Sequence, residues 1–231
     1  MDIQEGNKKR MVMSYKGYIF DLDDTLYCEH DYVRSGFQAV AEVLAKHTTQ
    51  SINEIHQLLI EEWKRNGRGR VFDAVCGKLK INSDISTLVN VYRNHKPLIR
   101  LYQDAERMIH HLIDQKKKIA IITDGHPIIQ WAKIDALFLQ KWFQCIVVTG
   151  DLGEEHWKPS ATPYRKIVDC LGLDISDCVY IGDNPHKDFI TAKKLGMGTI
   201  RIVRPVGDHM QVKLTKEFEA DRTLSSLEEI I

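Results

Sequence analysis

Four short apolar runs constrain this chain more than any other feature. "KIAIIT" (118–123), "CIVVT" (145–149), "CVYIG" (178–182) and "TIRIV" (199–203) are nearly continuous in apolar character. A strand with one wet face alternates apolar and polar residues, so unbroken runs of this length belong to strands buried on both faces. Between them lie segments of helical period, at 104–116, 127–139, 161–171 and 186–195. Pro127 suits a first helical turn, Ser160 an N-cap, and Gly172 and Gly196 the positions just past a helix end. "YIF" (18–20) adds a strand at the front. Alternating strands and helices predict an α/β fold, a Rossmann-like parallel sheet with helices on both faces.

Residues between the first strand and this series have a different period. Val33, Phe37, Val40 and Leu44 share one helical face, as do Ile55, Leu58, Leu59 and Trp63, and Ile85, Leu88, Val89 and Tyr92. "NGRGRVFDAVCGKL" supplies a Gly-rich break and a short helix. The expected division is therefore an α/β core of residues 1–26 and 100–231 with an inserted α-helical domain at 27–99.

Composition narrows the partners. Lys plus Arg and Asp plus Glu both number 32, so the net charge is zero and no general attraction to nucleic acid or membrane surfaces is expected. No apolar run reaches the roughly 20 residues of a membrane span. "MDIQEGNKKRMVMSYK" is too polar for a secretory signal and reads as a frayed tail. The five cysteines are odd in number and widely spaced. That argues against a disulfide framework or a zinc site, and for a reducing cytoplasm.

Ligands of open parallel sheets bind beyond the carboxyl ends of the strands. Here those ends carry Asp21, Asp23 and Thr25; then Thr123, Asp124 and Gly125; then "EEHWKPS" with Lys158; then "GDNPHKD" with Asp183 and Asp188. Any one of them alone is an ordinary turn, strand or surface residue. Together they suit phosphoryl transfer. One aspartate can attack phosphorus, and a carboxylate two residues on can protonate the leaving oxygen and later activate water. Mg2+ takes carboxylate and phosphate oxygens, while a lysine and a threonine hydroxyl hold the remaining charge.

In these motifs the chain resembles the haloacid dehalogenase superfamily of phosphohydrolases. "DLDDT" matches D-x-D-x-T, Thr123 the second motif, Lys158-Pro159 the lysine motif, and "GDNPHKD" the acidic fourth motif. The resemblance implies Asp21 as nucleophile and Mg2+ ligand. It implies Asp23 as general acid/base, with its carbonyl on the metal. Asp183 would be the second carboxylate ligand, Asp188 would support them from behind, and Thr123, Asp124, Gly125 and Lys158 would bind the phosphoryl group. Asp24 matches no role and reads as an ordinary position. The superfamily's dehalogenases lack an acid two residues after the nucleophile, so Asp23 favours a phosphatase. A helical cap between the first two motifs goes with small soluble substrates: sugar phosphates, nucleoside monophosphates or phosphoacids. Candidate substrate contacts are Arg68 and Arg70 in "RNGRGR", His30 and His126. The alternatives are a sugar phosphomutase using the same residues, or a signalling protein that accepts phosphate on Asp. Monomer and homodimer are both compatible with the sequence.

Overall fold

The computed structural model describes residues 15–230. The tail expected at the start of the chain lies, up to residue 14, outside the described residues. Six strands form one sheet: β1 (Gly17–Phe20), β2 (Lys118–Thr123), β3 (Cys145–Val148), β4 (Cys178–Gly182), β5 (Gly198–Ile202) and β6 (Arg222–Leu224). Their order is β3-β2-β1-β4-β5-β6, and every pairing is parallel. The first strand is thus interior, with Gly17 opposite Lys118 on one side and Cys178 on the other. All four β1 residues are buried, as the continuous apolar character requires.

Helices α1 (Glu29–Leu44), α2 (Ile52–Asn66), α3 (Val71–Leu79) and α4 (Ile85–Asn94) precede α5 (Gln103–Asp114), α6 (Pro127–Ala136), α7 (Thr162–Leu171) and α8 (Ile190–Leu195). The chain divides into two compact units, Met1–Glu29 with Arg100–Ile231, and His30–Ile99. In the sheet unit, Ile19, Ala120, Ile122 and Tyr180 pack with Tyr164, Ile167 and Leu171 of α7. Met108, Ile109 and Leu112 of α5 are fully buried as well. In the helical unit, Phe37, Val40 and Leu44 pack with Leu59, Trp63, Phe72 and Leu88. There a reciprocal Ser51–Glu54 capping box starts α2.

Several boundaries move. The helix expected at 186–195 begins only at Ile190, because loop hydrogen bonds claim the backbone before it. The Asp188 carboxylate accepts from the Asn184 N–H, and the Asn184 amide oxygen accepts from the His186 N–H. Helix α6 stops at Ala136 rather than 139, and Phe138 turns left-handed at φ 54°. Helix α7 starts at Thr162, whose N–H reaches back to the Ser160 hydroxyl at 3.4 Å. Strand β6 is too short and polar to stand out as an apolar run.

The expectation that no disulfide forms is corrected. Cys145 on β3 and Cys170 on α7 are bridged, with Cα atoms 6.3 Å apart. Packing of α7 on the sheet creates this proximity, and a 25-residue separation carries no local signature. Cysteine usage therefore no longer argues for a reducing compartment. No helix among the described residues is long and apolar enough to cross a membrane.

A buried ion pair fastens the C-terminal segment. Arg204 donates to Asp104 at 2.6 Å and to the Thr25 carbonyl at 2.6 Å, and Asp104 also accepts from the Leu227 N–H at 2.8 Å. Burial alone would raise the Asp104 carboxyl, but Arg204 and the backbone donor hold it below its ordinary value. Asp104→Asn should cost about 3–5 kcal/mol at neutral pH, because Arg204 is left buried without its counter-charge. A depressed carboxyl stabilises the fold above its unfolded value near 4 and loses that contribution as pH falls through the folded value. Denaturant unfolding of both proteins should therefore converge toward acid. Separately, thiol titration of the unfolded, unreduced chain should find Cys28, Cys76 and Cys178 only. Reduction should lower stability by about 2–4 kcal/mol.

Candidate active site

Four strand ends deliver the site. Asp21 follows β1, and its own N–H donates to the Ile181 carbonyl at 2.8 Å, so the sheet ladder holds its backbone. Thr123 closes β2 and is fully buried. Lys158 comes from the loop after β3, and Asp183 and Asp188 from the loop after β4. Gly182 ends β4, and a Cβ there would lie 2.5 Å from the Asp188 carboxylate. Only glycine lets that carboxylate lie over the strand end.

At the centre is the Lys158 ammonium, whose side chain has no exposure. It donates to Asp21 at 2.5 Å, to Asp188 at 2.8 Å and to the Tyr180 hydroxyl at 2.9 Å. All three ammonium protons are thereby used. Burial would depress the lysine, but the Asp188 and Asp21 carboxylates hold it well above its usual range. Burial raises the Asp21 carboxyl, with Lys158 opposing and Asp188 adding to the rise. Asp183 is driven well up by burial, then by Asp188 and Asp21.

These facts fit a divalent cation. Asp21, Asp183 and Asp188 place ligand oxygens within 4.8 Å of one another. Asp183 Oδ2 is buried without a hydrogen-bond partner. A buried orphan acceptor among like charges is costly, and a hard cation removes both penalties. Asp188 already spends Oδ1 on Lys158 and Tyr180 and Oδ2 on the Asn184 N–H, so Asp21 and Asp183 are the better ligands.

Asp23 lies apart from this cluster in its bonding. Its Oδ1 accepts from Tyr27 and, at 2.7 Å, from Lys133; its Oδ2 accepts from Gln130 at 2.9 Å. Burial would raise this carboxyl, but Lys133, Tyr27 and Gln130 together hold it below its ordinary value. Lys133, Gln130, Tyr27 and Tyr180 were not anticipated from the sequence. The available signal was a glutamine and a lysine three apart in the largely apolar helix α6.

The remaining candidates divide. The Asp124 carboxylate accepts from the Thr149 hydroxyl at 2.8 Å and the Lys158 N–H at 3.1 Å, and pairs with Lys187 at 3.0 Å. Its side chain therefore anchors the lysine loop, which leaves its backbone for a ligand. Gly125 turns at φ 138°, a region side chains avoid. His126 is exposed at the head of α6. His30, Arg68 and Arg70 belong to the helical unit, where His30 packs edge-on to Trp63 at 4.7 Å and both arginines are exposed. Asp24 is not an ordinary position. It is buried and left-handed at φ 52°, and accepts from the Glu29 N–H at 2.8 Å and the Asp208 N–H at 3.2 Å. Burial pushes it up to about 6.

The model of the haloacid dehalogenase-like hydrolase family matches residues 18–202. A glyceraldehyde 3-phosphate phosphatase of Methanocaldococcus jannaschii is 31% identical over 224 residues, covering 94% of this chain and 95% of that one. A phosphoglycolate phosphatase of Neisseria meningitidis is 25% identical, covering 91% and 90%. The fold is that of the HAD-hydrolase YfnB from Bacillus subtilis, solved bound to magnesium, with a TM-score of 0.68 at 18% identity, covering 94% and 96%.

Asp183→Asn should stabilise the metal-free protein, since it removes a buried charge that faces two others. Mg2+ at a hundredfold excess over its Kd should add about 2.7 kcal/mol to the wild type by mass action. The variant should lose that increment. Thermal unfolding with and without Mg2+ reads both effects.

Proposed function

We propose that this chain, which belongs to the haloacid dehalogenase-like hydrolases and is a phosphohydrolase, hydrolyses a small phosphorylated metabolite through an aspartyl phosphate on Asp21. The observation that carries this reading is the Lys158 ammonium between Asp21 and Asp188 at the mouth of an interior strand. An Asp21 oxygen attacks phosphorus as the bond to the leaving oxygen breaks, and Asp23, ionised before substrate binds, takes up a proton on binding and gives it to that oxygen. Asp23 then takes a proton from water, whose oxygen attacks the aspartyl phosphate. Inorganic phosphate leaves and the Asp21 carboxylate is restored.

Asp21, Asp183 and the Asp23 carbonyl would hold Mg2+, which would supply the positive charge that lets a carboxylate approach a phosphate dianion. Lys158 grips a phosphoryl oxygen by exchanging one of its three protein partners for it. Thr123 donates its hydroxyl to another, and the backbone at Asp124 and Gly125 lies beside them. Asp188 keeps Lys158 in place.

The relatives named for glyceraldehyde 3-phosphate and phosphoglycolate support a two- or three-carbon phosphate as substrate. Arg68, Arg70, His30 and His126 are the candidates for its second polar group. A soluble substrate of this kind is consistent with work in the cytoplasm.

With Mg2+ present, the wild type should release inorganic phosphate from such substrates. Asp21→Asn should abolish turnover, and Asp23→Asn should lower it by about 10²–10⁴-fold. Surviving turnover in Asp21→Asn would overturn the assignment of the nucleophile. Isomerisation without phosphate release would make the chain a mutase, and a long-lived phosphoprotein would make it a phosphate acceptor.

A further inference from the structure

We infer that Gln130 and Lys133 are positioning residues that set which oxygen of Asp23 exchanges protons and which way the Thr123 hydroxyl points; this rests on the roles proposed above for Asp23 and Thr123.

Both residues sit three apart on α6 and so share a face. Gln130 is 1% exposed and Lys133 2%. A buried lysine is costly unless paired, and an apolar side chain of similar volume often serves stability as well or better. Packing therefore gives no reason for a lysine in this place. Its ammonium lies 2.7 Å from Asp23 Oδ1, which also accepts from the Tyr27 hydroxyl. A carboxylate oxygen offers about two lone-pair sites, so Oδ1 is fully used. Oδ2 accepts once, from Gln130 at 2.9 Å, and keeps one site. The Asp23 side chain remains 22% exposed, so the carboxylate is not sealed from a ligand. Three donors thus select Oδ2 as the oxygen that gives and takes the proton.

Gln130 has a second effect. A carboxylate only accepts, so the amide nitrogen must face Asp23. The same nitrogen lies 2.5 Å from Thr123 Oγ1. With a hydrogen donated to it there, the threonine oxygen is an acceptor on that side. Its own proton is turned away from Gln130 and is available to a phosphoryl oxygen. One buried amide thereby orients both the proton-exchanging carboxyl and a phosphate-binding hydroxyl.

The test compares kcat/KM, which reads the steps through leaving-group departure, on two substrates with Mg2+. One is an alkyl phosphate, whose alkoxide needs a proton to leave. The other is 4-nitrophenyl phosphate, whose phenolate leaves without one. Lys133→Met should lose about 10²-fold on the alkyl phosphate and no more than about threefold on the aryl phosphate. Lys133→Arg should recover most of the loss. In an Asp23→Asn background Lys133→Met should add nothing, because it acts through Asp23. Gln130→Leu should lose on both substrates, since Thr123 is disturbed too. Equal losses on both substrates for Lys133→Met, or losses that add to those of Asp23→Asn, would overturn the inference. If the wild type releases no phosphate from either, the functional reading fails instead. Crystal structures then decide the positioning separately: a displaced Asp23 carboxylate in Lys133→Met supports it, and an unchanged rotamer sinks it.

Discussion

The buried Lys158 ammonium organises the cluster at the carboxyl end of the sheet. Lys158 has no contact with water and no spare proton, so its position is dictated by Asp21, Asp188 and Tyr180. Without it, three carboxylates would share one buried space, and burial would force them toward the neutral form. With it, the cluster still carries more negative than positive charge. That remainder makes the place suitable for a hard cation and then for a phosphate. The ends of β1 and β4 and the loop after β3 depend on this balance, because each contributes a charge that the others tolerate.

A second layer of contacts keeps the loops that carry these groups in place. Asp24 ties the turn after β1 to the first helical N–H of α1 and to the loop at Asp208. Arg204 grips the Thr25 carbonyl and Asp104 together. Arg201 donates to the carbonyls of Asp183, His209 and Val212. Asp24 and Thr25 are thereby held from outside the turn, and the Asp183 backbone from β5. Asp24 and Arg201 each satisfy several backbone groups at once.

The parallel sheet and the strand-end groups were legible because both follow from local rules. Unbroken apolar runs mark strands covered on two faces, and strand ends are where ligands bind. Asp21, Thr123, Lys158, Asp183 and Asp188 could be gathered from that alone. What was illegible depends on tertiary distance. Cys145 and Cys170 are ordinary residues until α7 lies on β3. Asp24 looks redundant beside Asp23 until the Asp208 loop arrives from the far end of the chain. Gln130 and Lys133 sit in a helix whose neighbours explain its burial but not its polarity. The helix expected at 186–195 failed at its start because Asp188 and Asn184 bond to the loop backbone, a competition that periodicity does not register.

The interior place of β1 also has a bearing on how the protein comes into being. Gly17 pairs with Lys118 and Cys178, so β1 is flanked on both sides only after the strand at 178 has been made. Contacts so distant in sequence slow folding, because the intervening chain must be ordered first. Asp183, Asp188 and Arg204 emerge later still. A nascent or truncated chain therefore carries Asp21 before Lys158, Asp183 and Asp188 exist to surround it.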